Sequence, residues 1–421
     1  MTRFVDLFCG TGGIRLGLEQ AFNEKGLKTE CVKSVEIDTF AAETYKLNFN
    51  ENPLGDVKKI SKLPHFDVLL AGFPCQPFSY AGKQMGFSDT RGTLFFEIAR
   101  IIKENKPKLV LLENVRGLTT HDKGRTFSTI LNTLSELGYH YEYRILNSSN
   151  YGVPQNRVRL YIIASLEQLK VTLNSDLGAK DSHSFLNYFS GPSLFDEYSF
   201  KKVKDILEDS PDYIYDCSDD FVNKLKIVTK NDLSKLNGVR LIDTRHGKSI
   251  HSWDIGRKGD CTKHEVEFMN LLISNRRKHI FGTQQDGKAL TKEQIKTFYH
   301  NSDLEEVINS LLKKGYLSLK NDKYNPVCGN MSFEVFKFLD PNSISITLTA
   351  ADCHKLGIVH NGRVRHLTPR ECARLQGYPD SYILNPKDYY AYKQMGNAVS
   401  VPVIKTIFNN YLDNNKWCVH P

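Results

Sequence analysis

The octapeptide Gly72-Phe73-Pro74-Cys75-Gln76-Pro77-Phe78-Ser79 carries the residue best suited to chemistry in this chain, a cysteine braced by prolines. The apolar run Asp67-Val68-Leu69-Leu70-Ala71 before it reads as a short buried strand. Cys75 would then stand at a strand's carboxyl end, the edge where open α/β sheets carry their sites. An unperturbed thiol has a pKa of about 8.5 and is mostly protonated at neutral pH, so attack requires help from neighbours. Leu111-Leu112-Glu113-Asn114-Val115 places an acid at the end of another apolar strand. Burial would raise the pKa of Glu113 and let it donate a proton near neutrality. In Gln155-Asn156-Arg157-Val158-Arg159 two arginines one residue apart point the same way if extended, and both can address one anionic or carbonyl group. The plainer readings are a structural buried thiol for Cys75 and structural salt bridges for Arg157 and Arg159. A thiol, an acid and arginines at sheet edges suit attack on an electron-poor ring that needs protonation.

A second constellation lies near the N-terminus. Asp6-Leu7-Phe8-Cys9-Gly10-Thr11-Gly12-Gly13 sits between a strand-like and a helix-like segment. Gly10 and Gly12 permit a tight turn and close backbone approach to a ligand. Glu36 ends the next strand, where a Rossmann-type fold places an acid for ribose hydroxyls, and Asp56 after Gly55 is placed to take an adenine amino group. Either acid could also be a plain surface carboxylate. Together they point to a nucleoside-bearing cofactor, and the lack of a Walker lysine after the glycines argues against a triphosphate.

The elements that must position these residues alternate. Strands are expected at Val5 to Phe8, Cys31 to Val35, Asp67 to Ala71, Leu109 to Leu112, Tyr141 to Leu146 and Leu160 to Ala164. Helices are expected at Ile14 to Phe22, Phe40 to Asn48, Leu94 to Glu104 and Thr126 to Leu137. This implies a parallel sheet covered on both faces. The pattern stops after Ser165, and a polar, irregular stretch runs to about Ile346, too long for a linker. The expected organisation is a catalytic and cofactor-binding domain over 1–167, a second domain over 168–346, and C-terminal segments over 347–421 that rejoin the first. Within the middle region, Leu290 to Val327 reads as helix, helix, hairpin, the order of a winged helix-turn-helix and equally of an ordinary packing unit. The basic cluster Arg276-Arg277-Lys278-His279 just upstream is a solvated face or a phosphate contact.

The 421 residues carry a formal net charge of +8, a sign that suits a polyanionic partner. No apolar run approaches the length of a membrane span, and no signal peptide precedes Phe4, so a cytoplasmic protein is expected. Nine scattered cysteines without a CxxC pair argue for free thiols. Cys261 with His264, and Cys353 with His354, have ligand-like local spacing, but neither brings a second pair, so no metal is expected.

Taken in order, these motifs resemble those of the DNA cytosine-5 methyltransferases. The resemblance rests on Asp6 to Gly13, Glu36, Gly72 to Ser79, Glu113-Asn114-Val115 and Gln155 to Arg159. It extends to Arg370-Glu371-Cys372-Ala373-Arg374, Gly377-Tyr378-Pro379 and Gly396-Asn397-Ala398-Val399. It implies a Rossmann-like S-adenosylmethionine-dependent methyltransferase domain with a smaller DNA target-recognition domain. By position, Phe8 contacts the adenine, Glu36 holds the ribose, Asp56 reads the adenine edge, Phe73 lines the pocket and Asn397 helps to close it. Cys75 attacks C6 of a cytosine flipped out of double-stranded DNA, Glu113 supports protonation at N3, Arg159 contacts the base and Arg157 helps to organise the site. Gln76 to Thr93 resembles the loop that closes over the flipped base, with Ala81 where some relatives carry serine. Thr347-Leu348 fits the short motif near the end of the recognition domain. The resemblance further implies a monomer that protects host DNA from a restriction endonuclease of the same specificity. The rival readings are a transfer-RNA cytosine methyltransferase, against which the missing Cys-Phe-Thr motif speaks, and a DNA-binding module without catalysis.

Overall fold

The computed structural model describes residues 1–74, 94–173, 201–245, 247–283, 288–328 and 333–417. Cys75, the stretch from Gln76 to Thr93 and residues 174–200 therefore lie outside the described residues. The chain divides into two compact units: Met1–Leu207 with Ile344–Cys353 and Pro369–Pro421, and Glu208–Ser343 with His354–Thr368.

The first unit is built on β1 (Thr2–Leu7), β2 (Thr29–Val35), β3 (Val68–Gly72), β4 (Leu109–Val115), β5 (His140–Asn147) and β6 (Val158–Ser165). Among the described residues they form one sheet in the order β2-β1-β3-β4-β6-β5. The pairings β1–β2, β1–β3 and β3–β4 are parallel. Strand β6 runs antiparallel to both β4 and β5, so the sheet is mixed where the alternation suggested a purely parallel one. The cause is the short connection after β5, a single 3₁₀ turn at Ser148–Tyr151, which leaves no room for a crossover helix.

Alternation along each strand feeds two cores. Val5, Leu7, Leu69, Ala71, Val110 and Leu112 face helices α3 (Leu94–Asn105) and α4 (Arg125–Glu136). Phe4, Val68, Leu70, Leu109 and Leu111 face the opposite layer, with Ile14, Leu18 and Phe22 of α1 (Gly13–Glu24). Helix α2 (Thr39–Phe49) follows β2, with Asp38 as its N-cap accepting from the amide of Ala41. The chain crosses from β2 on one side of β1 to β3 on the other, so a topological switch point lies at the carboxyl ends of β1 and β3.

The second unit holds α5 (Asp219–Thr229), β7 (Arg240–Leu241), β8 (Ser249–Ile250), α6 (Lys263–Asn275), α7 (Lys292–Lys296), α8 (Leu304–Lys314), β9 (Leu317–Lys320), β10 (Lys323–Pro326), β11 (Lys337–Phe338), β12 (Leu356–His360) and β13 (Arg363–His366). A small sheet runs β13-β12-β11-β7-β8. The expected boundary at 346 differs from this division. Residues 354–368 belong to the second unit because β12 pairs with β11, while 344–353 stay with the first because the Ser345 amide donates to the Pro154 carbonyl.

Helix α7, helix α8 and the β9–β10 hairpin follow in the order read from Leu290 to Val327. Thr291 and Gln294 form a capping box at the start of α7. Gly315, at φ +76°, ends α8. Asn321 and Asp322 take the left-handed conformation that a two-residue hairpin turn requires. Leu304, Val307, Ile308 and Leu311 pack with Phe268, Met269 and Leu272 of α6. Arg276 departs from the phosphate-contact reading. It is buried, and its guanidinium donates to the Lys288 carbonyl and the Asn325 side chain, 3.1 Å and 2.6 Å away. Arg277 and Lys278 stay exposed.

The C-terminal helices α9 (Pro369–Leu375), α10 (Asp388–Asn397) and α11 (Val401–Asn414) return to the first unit. Val403, Ile404, Ile407 and Phe408 of α11 complete the core beside α1. Gly17 lets the two helices approach, since a Cβ there would stand 2.5 Å from Ile404.

Candidate active site

A cavity of about 480 Å³ opens at the switch point. Its walls include Phe8, Gly10, Glu36, Asp56, Phe73, Glu113, Arg157, Arg159 and Asn397, so nine of the eleven residues singled out in the sequence meet there. Gly12 does not line it. Gly12 caps α1 at φ +77°, and a Cβ would run into the Phe49 ring at 2.3 Å. Cys75 lies outside the described residues, one position beyond Pro74, which lines the cavity.

At one end the glycine turn and the end of β2 are tied through Glu36. Its carboxylate accepts from the amides of Gly10 and Asp38, both at 2.8 Å. Phe8 enters the turn at φ +53°, a conformation costly for a residue with a Cβ. Asp56 accepts from the Lys58 amide and is half-buried.

Sequence reasoning passed over the wall contributed by α10. Tyr390 stacks on Phe40 with ring centroids 3.5 Å apart, Lys393 pairs with Asp38 at 3.1 Å, and Gln394 donates to the Phe40 carbonyl. All five of these residues line the cavity. The only signal in the sequence was their closeness to Asn397 and to Glu36.

At the other end β3, β4 and β6 bring the polar groups together. Gly72 pairs with Glu113 in register; a Cβ there would lie 3.2 Å from Ile14 Cδ1 and in ordinary contact, 3.6 Å, with Glu113 Oε2. Glu113 is 8% exposed, and burial pushes its pKa up while Arg159 and Arg157 pull it down. Arg159 Nε lies 3.4 Å from Glu113 Oε1. Asn114 anchors the segment leading to Cys75: its Nδ2 donates to the Phe73 carbonyl at 2.9 Å, and its Oδ1 accepts from the Val115 amide.

The two arginines do not share one group, as their spacing suggested. Arg157 turns to carbonyls and donates to Leu348 O at 3.0 Å and Gly396 O at 3.4 Å. Val158 opens β6, so Arg157 lies just outside the regular pleat on which that expectation depended. Burial and the neighbouring Arg159 push the Arg157 pKa down to about 10. Gly396 is needed for this arrangement, because a Cβ would stand 2.4 Å from the Ala350 nitrogen.

A family model of C-5 cytosine-specific DNA methylases matches residues 2–413. The chain belongs to the C-5 cytosine-specific DNA methylase family. This methylase is 61% identical over 414 residues to the Type II methyltransferase M.BanI of Aneurinibacillus aneurinilyticus, covering 98% of this chain and 96% of that protein. It is 60% identical over 408 residues to the Type II methyltransferase M.HgiCI of Herpetosiphon aurantiacus, covering 97% of each chain. Among solved structures, Spodoptera frugiperda DNMT2 aligns with a TM-score of 0.52 at 18% identity, covering 98% of this chain and 100% of that one. At that identity the likeness bears on the fold, a Rossmann-like methyltransferase sheet. The methylase is a DNA cytosine-5-methyltransferase of the Type II, restriction-modification class. Among the described residues no helix is long and apolar enough to cross a membrane.

Proposed function

We propose that the methylase transfers a methyl group from S-adenosylmethionine to C5 of a cytosine flipped out of double-stranded DNA, through a covalent bond between Cys75 and C6. The observation that carries this reading is the position of Glu113. The acid is buried, held beside Arg159, and stands next to the strand end that leads through Phe73 and Pro74 to Cys75.

The cofactor end fits a nucleoside. The cradle combines a glycine turn, the Glu36 carboxylate and Asp56 around a cavity of about 480 Å³, a volume in the range of small-molecule sites. Glu36 uses one lone pair on each oxygen for the amides of Gly10 and Asp38 and keeps others for ribose hydroxyls. Phe8 and Phe73 offer apolar surface, Asp56 an acceptor for an adenine amino group, and Asn397 a polar closing group. When bound, the cofactor supplies an electrophilic methyl group.

On the substrate side Cys75 forms its bond to C6 as a thiolate. Glu113, whose pKa burial raises, protonates or hydrogen-bonds N3, so the electron pair moved by thiolate attack is accommodated in the ring. Arg159 steadies the Glu113 carboxylate and presents its guanidinium to the base. Arg157 acts one step away, by holding the carbonyls of Leu348 and Gly396 beside the cavity. After methyl transfer C5 loses its proton to solvent, the proton on N3 returns to Glu113, the C6–sulfur bond breaks, and the thiolate leaves. No metal takes part in this sequence.

The second unit is proposed to read the target bases, with α8 and the β9–β10 hairpin as the recognition element and Arg277 and Lys278 available for phosphates. The protein is proposed to act as a cytoplasmic monomer that protects host DNA from an endonuclease of the same specificity. Incubation with methyl-labelled S-adenosylmethionine and either duplex DNA or transfer RNA tests the reading. Label in duplex cytosine C5 supports it, and label in transfer RNA alone overturns it. Bisulfite sequencing of DNA from expressing cells would identify the target.

A further inference from the structure

A cluster of metal-ligating side chains lies in the second unit, outside the cavity described above. The ligand atoms of Cys217, Glu334 and His366 all stand within 4.8 Å of one another. Cys217 is 6% exposed, and Glu334 and His366 are half-buried.

Each of the three is held in place by a further contact. Nδ1 of His366 lies 3.0 Å from the His354 carbonyl oxygen. A carbonyl can only accept, so Nδ1 carries the proton and Nε2 of the neutral ring keeps its lone pair. The Glu334 carboxylate accepts from the Ser218 amide at 2.9 Å and from the Ser218 hydroxyl at 2.6 Å. Each carboxylate oxygen retains a lone pair beyond that bond. The amide of Cys217 donates to the Val364 carbonyl at 3.0 Å, which ties the cysteine to β13. A histidine donating its other ring N–H to a carbonyl and a carboxylate held by donors are the supporting contacts of metal ligands.

We infer that Cys217, Glu334 and His366 form a zinc site that fastens the small sheet of the second unit. Thiolate and imidazole select zinc over magnesium or calcium, which prefer oxygen donors. Three protein ligands leave a fourth position for water. As the sulfur–zinc bond forms, the Cys217 thiol releases its proton to solvent. The ion would join the segment before α5, the segment before β11 and the end of β13. These pieces are distant in sequence, which explains why local Cys and His spacing gave no sign of a site.

The test uses the full-length protein, purified without chelator and dialysed against metal-free buffer. Elemental analysis should find about one zinc per chain. Replacement by Co²⁺ should give a thiolate-to-metal charge-transfer band that is lost in Cys217→Ser, with the circular dichroism of that variant unchanged. Chelation should lower the Tm of the wild-type protein and leave Cys217→Ser unmoved. The inference is overturned if wild-type protein holds no zinc both as purified and after incubation with Zn²⁺. It is equally overturned if Cys217→Ser, or His366→Ala, binds zinc as the wild type does. These readouts do not depend on methyl transfer.

Discussion

Arg159 Nε stands 3.4 Å from Oε1 of Glu113, across the antiparallel pairing of β6 with β4. Glu113 lies opposite Tyr161 in that register, so Arg159 is its diagonal neighbour on the same face. The pair sets an acid whose pKa burial raises beside a cation that limits the rise. Glu113→Gln keeps a hydrogen-bond donor but cannot give up a proton. Its turnover should fall about 10²–10⁴-fold, the usual contribution of a general acid. The wild-type rate should also decline as pH rises through the elevated Glu113 pKa, and that alkaline decline should be absent in Glu113→Gln. Single-turnover rates across pH would check both, and an unchanged profile in the variant would remove Glu113 from the proton step.

Asn114 acts on the approach to Cys75. Asn114→Ala removes the donor to the Phe73 carbonyl and leaves that buried acceptor unsatisfied, at a cost of about 1–3 kcal/mol in stability. Methyl transfer should drop more than cofactor affinity, since Glu36 and the glycine turn are untouched. Calorimetry of S-adenosylmethionine binding alongside kcat separates the two; equal losses in both would point to general misfolding instead.

Gly396 is the tightest backbone approach around the cavity. A methyl group there would meet the Ala350 nitrogen at 2.4 Å and the Thr349 carbonyl carbon at 2.4 Å, with no flexible side chain able to yield. Gly396→Ala should lose about 1–3 kcal/mol or more. It should also disturb the carbonyls that Arg157 binds. Denaturant unfolding measures the first effect, and retention of wild-type stability would show that the helix end shifts freely.

Asp6 sits wholly buried at the start of the glycine motif, and neither carboxylate oxygen has a hydrogen-bond partner among the described residues. Burial pushes its pKa up to about 8. The folded state thus holds the proton more tightly than the unfolded chain, where an aspartate titrates near 3.9. Its contribution is fully present below about pH 4 and is lost as pH rises through about 8. Asp6→Asn should flatten this part of the stability profile and gain on the wild type toward pH 8. Chemical denaturation at several pH values tests the sign; parallel curves for the two proteins would contradict it.

The legibility of this protein divides by the range of the interactions concerned. The sheet strands, their flanking helices and the glycine turn could be read because apolar periodicity and turn chemistry are local properties. The same holds for Leu304, Val307 and Leu311 on α8 and for the Asn321-Asp322 turn. Glu113 and Arg159 could be assigned to strand ends, and the order of motifs identified the family.

What the sequence by itself determined was the set of chemical groups and the strand ends that carry them. Tertiary structure decided their partners. Arg157 and Arg159, one residue apart, part company because carbonyls from residues 348 and 396 are brought to one of them and a carboxylate to the other. Arg276 is drawn inside because the Lys288 carbonyl and the Asn325 side chain satisfy it there. The α10 wall of Tyr390 and Lys393, and the meeting of Cys217, Glu334 and His366, have the same origin. Each depends on segments far apart along the chain, and a hydrogen bond or ion pair forms only where packing brings its partners within about 3 Å.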